Sequence, residues 1–138
     1  MKTEQPILIT SVKAAANISK NYLVGFDGNL CSTGAKPLGV SNADASTDEQ
    51  LPLVCKGIAL VYSFTSIPQG SALICQTGGK VAPAANFHAA IPNGSTPVNS
   101  NAAQPTLTLS GTVLPQTLVG YALDAATGAD EQIRVLLA

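Results

Sequence analysis

The sequence predicts an all-β fold: a small antiparallel β-barrel or sandwich of about eight to ten short strands with a long Pro/Asn-rich loop. Three observations predict it. Apolar and polar residues alternate over short runs, turn signals recur roughly every ten residues, and no long stripe has helical spacing. Only Val12 to Ile18 has room for a short turn of helix. The 138 residues suffice for one core and are short for two, so a single β domain over 1–138 is expected.

Ile7 to Val12, rich in β-branched residues, is the opening strand, and 1–12 is a candidate N-terminal arm. Tyr22 to Phe26 runs into Asp27-Gly28, a pair suited to the left-handed conformations of a tight hairpin, and Asn29 to Cys31 returns. Pro37 to Val40 and Gln50 to Val54 flank a small-residue loop. Ile58 to Phe64 is the clearest strand, with Ile58, Leu60, Tyr62 and Phe64 on one face and Ala59, Val61 and Ser63 on the other. Ser71 to Gln76 and Lys80 to Ala82 enclose the turn Thr77-Gly78-Gly79. Thr106 to Leu114 alternates again, and Leu118 to Leu137 closes the chain as strand, turn and strand.

Residues 83–105 break this rhythm. Pro83, Pro92, Pro97 and Pro105 stand among Asn86, Asn93, Asn99 and Asn101, a composition that opposes both helix and sheet. No Asp, Glu, Lys or Arg occurs between Lys80 and Asp124. A disordered linker normally carries charge, so a long uncharged insertion suits a docking surface as well as a harmless surface loop.

A faint internal repeat is also legible. Gly39-Val40-Ser41-Asn42-Ala43-Asp44-Ala45, followed by Asp48-Glu49-Gln50-Leu51, echoes Gly120-Tyr121-Ala122-Leu123-Asp124-Ala125-Ala126, followed by Asp130-Glu131-Gln132-Ile133. Each copy reads as strand, acidic small-residue turn, strand. Two such hairpins are expected to pair or to occupy equivalent positions of one barrel.

Composition excludes several functions. Charged residues are 11% of the chain, against a usual share of about 25%, and the net charge is -1. The six lysines are scattered, whereas phosphate binding needs clustered cations, so no nucleic-acid partner is expected. No stretch reaches the roughly 20 apolar residues of a membrane helix. The apolar run from Ile7 to Val12 is too short for a signal peptide, contains Thr10 and Ser11, and ends at Lys13. A soluble protein is expected. Cys31, Cys55 and Cys75 are odd in number and form no CxxC pair, which favours three reduced thiols over one disulfide and a leftover, and argues against zinc. His88, alone in the insertion, is expected to be a solvated or interface residue rather than the base for a cysteine nucleophile. The acids Asp44, Asp48, Glu49, Asp124, Asp130 and Glu131 lack the alternation of a calcium loop and suit turn caps. Gly78-Gly79-Lys80 lacks the rest of a phosphate loop. No catalytic residue, metal or cofactor is expected.

The ending Leu118-Val119-Gly120-Tyr121-Ala122-Leu123-Asp124-Ala125-Ala126-Thr127-Gly128, then Gln132-Ile133-Arg134-Val135-Leu136-Leu137, resembles the closing hairpin of the capsid cement, or head decoration, proteins of tailed bacteriophages. Pro37 to Gly57 and Ile67-Pro68-Gln69-Gly70-Ser71-Ala72-Leu73-Ile74, closed by Gly79-Lys80-Val81, resemble two further units of that family. The long uncharged insertion departs from its compact members. The resemblance implies a virion protein on the outer face of a phage head, bridging major capsid subunits after expansion and holding the shell against packaged DNA. Self-association is implied too, trimers slightly ahead of dimers. Candidate contacts are Ile7, Leu8 and Ile9, in a run able to extend a capsid sheet or simply to open the barrel, and Phe87, His88, Ile91 and Val98 in the insertion. The alternatives are a carbohydrate-binding or adhesin-like β module, which the lack of Trp disfavours, and another virion part such as a tail or fibre component.

Overall fold

The structure, a computed structural model, describes residues 2–84 and 117–138. Its strands are β1 (Gln5–Lys13), β2 (Leu23–Val24), β3 (Gly39–Ser41), β4 (Gln50–Tyr62), β5 (Ala72–Gln76), β6 (Lys80–Pro83), β7 (Leu118–Ala122) and β8 (Gln132–Leu137). They form an antiparallel sheet in the order β2-β3-β4-β8-β7-β5-β6, and β1 adds to β4 off that path. The sheet nearly closes into a barrel. Ser63, just past β4, bridges Val81 of β6, and Leu23 N–H donates to the Gly79 carbonyl at 2.8 Å. The strand at Thr106 to Leu114 and the insertion beyond Ala84 lie outside the described residues. Pro83 itself ends β6, opposite Leu73.

β4 runs through where two strands were expected. Gly57, which reads as a breaker, sits at φ 107 and is buried against β1, whose Gln5 carbonyl a side chain there would strike. β1 pairs with β4 from Gln50 to Ile58, and β8 takes over from Ile58 to Tyr62, so neighbours on both stretches keep the strand continuous. The short helical turn expected over Val12–Ile18 is absent. Val12 and Lys13 finish β1, and Ile18 bridges Ala45, because ladder partners outcompete a single turn of helix.

The hairpin echo is geometrically real. In β3–β4, Val40 pairs with Val54 and Ser41 with Leu53; in β7–β8, Tyr121 pairs with Leu136 and Ala122 with Val135. Ile18 exchanges backbone hydrogen bonds with Ala45, as Ile67 does with Ala126. Asp48 N–H donates to the Ala14 carbonyl, as Asp130 N–H does to that of Ser63. The positive φ angles match as well: Asn21 (74°) with Gly70 (83°), and Asp48 (71°) with Asp130 (61°). β4 is shared, its first part closing one copy and its last part opening the next.

The core follows this division only in part. Ala14, Ile18, Val24, Ala45, Leu51 and Leu53 of the first copy form a small buried cluster; the larger one joins Leu23, Val40 and Val54 of that copy to Val61, Ile67, Leu73, Val119, Ala126, Ile133 and Val135. Along the last part of β4 the smaller side chains Ala59, Val61 and Ser63 point inward and are fully buried. Ile58, Leu60 and Tyr62 are only half-buried, and Phe64 is exposed.

Candidate interaction surface

The apolar run Ile7-Leu8-Ile9 becomes an edge. β1 has no strand partner besides β4 among the described residues, and every residue from Gln5 to Ser11 is exposed. Ile7 is 83% exposed, a position that its burial elsewhere would ordinarily stabilise by about 1.5–3 kcal/mol. The register slips twice here: Ile7 has no partner between Pro6 and Leu8, and Cys55 none between Val54 and Lys56. One bulge on each strand restores the alignment and turns Ile7 out of the ladder. The strand is not loose. Lys2 Nζ donates to the Gln132 carbonyl at 2.6 Å, Glu4 pairs with Lys20 at 3.5 Å, and Lys13 pairs with Asp48 at 3.0 Å.

Beside β1 lies a groove of about 420 Å³. Leu8, Ile9, Phe26, Leu38, Cys55 and Leu118 contribute apolar walls, with Lys36 and Lys56 also lining it. Sequence reasoning did not find this groove, because its walls come from segments far apart in the chain. The one available signal was Phe26, a large aromatic placed directly before the Asp27-Gly28 turn; it is 64% exposed. Lys56 Nζ donates to the Ala138 carbonyl at 2.8 Å.

The acids serve turns. Asp44 Oδ1 accepts from Lys20 N–H at 2.7 Å, and Asp130 pairs with Lys80. Glu131 accepts from Thr127 N–H at 2.5 Å and from its hydroxyl at 2.7 Å, bonds that hold its carboxyl below the usual range. Asp124 receives Arg134 Nε and Nη2, each at 3.0 Å, and this fork lowers its carboxyl to about 2. The three cysteines are free thiols. Cys75 Sγ donates to the Cys31 carbonyl at 3.4 Å; its hydrogen bond with the Cys31 thiol and its burial push it well above the ordinary thiol range. Phe87, His88, Ile91 and Val98 lie outside the described residues.

The profile of a family described as phage cement protein matches residues 1–137. The crystal structure of the N base of head fiber gp8.5 in bacteriophage phi29 is similar in fold, with a TM-score of 0.63 at 14% identity over 95% of this chain and 93% of that one. No curated protein matches the chain.

Proposed function

The chain belongs to the phage cement protein family, and from that premise we propose that it is a non-catalytic virion protein that binds the outer surface of the phage head, bridges major capsid subunits and stabilises the expanded shell against internal DNA pressure. The observation that carries the reading is β1: a firmly seated strand whose outer edge has no partner among the described residues and whose apolar side chains Ile7, Leu8 and Ile9 are exposed. An exposed apolar edge is a hazard in a free protein and an asset in one that adds to a partner's sheet. A segment of a capsid subunit laid along β1 would gain main-chain hydrogen bonds and bury Ile7 and Ile9. Many copies, each held by more than one neighbour, would make weak single contacts sufficient. The insertion, with Phe87, His88, Ile91 and Val98, is a second contact, toward a sister subunit of a trimer or toward the shell.

A second reading is favoured by the phi29 likeness: the same barrel as the base of a head fibre. Both readings place the protein on the head. Purified protein mixed with undecorated expanded heads of its own phage is expected to bind saturably at regular lattice positions, seen by electron microscopy. Ile7→Lys, at a position too exposed to disturb the fold, should bind more weakly without a change in melting temperature. Absence of regular binding by the wild type overturns the proposal.

A further inference from the structure

We propose that the groove beside β1 is the seat for an apolar side chain of the capsid partner flanked by a carboxylate; the inference rests on the capsid-binding reading above. Two observations converge on it. The first is apolar exposure: Leu8, Ile9, Phe26 and Leu118, all large hydrophobics open to solvent, border this one depression. At about 420 Å³ it falls within the roughly 300–1,000 Å³ typical of sites that seat a ligand group.

The second observation is charge. Lys13, Lys20, Lys80 and Arg134 each pair with a carboxylate on this chain. Lys36 and Lys56 both line the groove, and no Asp or Glu does. Lys56 Nζ is held 2.8 Å from the Ala138 main-chain oxygen, which lines the groove as well, whereas Lys36 has no carboxylate partner and makes no hydrogen bond among the described residues. A chain with so few charges leaves Lys36 without a partner at the mouth of its apolar groove. The complement is an aliphatic or aromatic side chain next to Asp or Glu. Leu8 and Ile9 belong to both the groove and the open edge of β1, so one extended segment can reach both.

Lys36→Glu is titrated onto undecorated expanded heads beside the wild type. The control is Thr65→Glu/Ser66→Glu, in an exposed turn away from the groove, which shifts net charge as far as Lys36→Glu does. Exposed pairs are worth about 0.2–1 kcal/mol, roughly 1.4- to 5-fold in affinity. Reversing Lys36 replaces attraction with repulsion and should weaken binding about fivefold, with the charge-matched control unchanged. In parallel, Cys55, which lines the groove, is alkylated with N-ethylmaleimide against a Cys55→Ser background, and should react at least tenfold more slowly on decorated heads. Unchanged affinity of Lys36→Glu, or a Cys55 equally reactive on heads, overturns the groove while head binding stands. A Cys55 already blocked in dilute free protein assigns the groove to this chain's own residues, and one blocked only at high concentration assigns it to a second copy; either result overturns the inference. Failure of the wild type to bind heads removes both proposals together.

Discussion

Gly120 offers the sharpest test of the fold. It lies in β7 beside β8, and a Cβ built there would meet the Leu136 carbonyl oxygen at 2.1 Å, its carbon at 3.0 Å and Leu137 Cα at 3.1 Å. All three are backbone atoms, so no rotamer change relieves the clash. Gly120→Ala must push β8 away by about 1 Å, loosening two ladder hydrogen bonds worth about 1 kcal/mol each and the packing of buried Val119 and Val135. The expected cost is about 2–4 kcal/mol, a fall in melting temperature of roughly 10 °C. Gly39 holds the equivalent place in the other copy, but its Cβ would meet the Val54 oxygen at 2.7 Å, so Gly39→Ala should cost about 1–2 kcal/mol. Gly128→Ala meets nothing within 4 Å and should be neutral or stabilising by up to about 1 kcal/mol. Thermal and urea unfolding followed by circular dichroism reads all three. If Gly120→Ala is as stable as Gly128→Ala, or more stable than Gly39→Ala, the close approach described here is wrong.

Two further outcomes follow from the turns. Ser63 Oγ donates to the Gly128 carbonyl at 2.6 Å and accepts from Glu131 N–H at 3.1 Å. In the first copy Ala14 takes that place and Glu49 N–H donates directly to the Ser46 carbonyl. Ser63→Ala should therefore cost about 1 kcal/mol or less in urea unfolding, since the turn can close as its counterpart does; a loss near 3 kcal/mol would refute that equivalence. Asp124, with its carboxyl lowered to about 2 from 3.8 by Arg134, stabilises the fold above pH 4 and loses that contribution as pH falls toward 2. The contribution is about 1 kcal/mol once the exposure of Arg134 is discounted, and the stability gap between wild type and Asp124→Asn should close over that window.

Much of this fold was legible because the repeat carries its own punctuation: a glycine at each close strand approach, an acid where each turn needs a positive φ, and an apolar strand after it. The continuity of β4 was not legible. Gly57 signals a break locally, and only pairing with β1 and β8, distant in the chain, overrides it. Nor did alternation alone say which face of Ile58–Phe64 turns inward. Bulk suggests one answer, and the buried face is the other, Ala59, Val61 and Ser63. The edge at Ile7–Ile9 was visible as an apolar run, whereas the groove beside it depends on tertiary placement of Phe26, Lys36, Lys56 and Leu118 and left no local trace.

The antiparallel ladder between β1 and β4 also has a mechanical meaning. Its eight paired positions run along one line from Gln5 to Lys13. Tension applied along the axis of β1 loads those rungs together, in shear, whereas a pull at right angles would open them one after another. A handle built this way is strong in one direction and weak in the other. Attached by β1 to an expanding surface, the barrel would hold best when the surface stretches in the plane of the strand, and would peel most readily from its end.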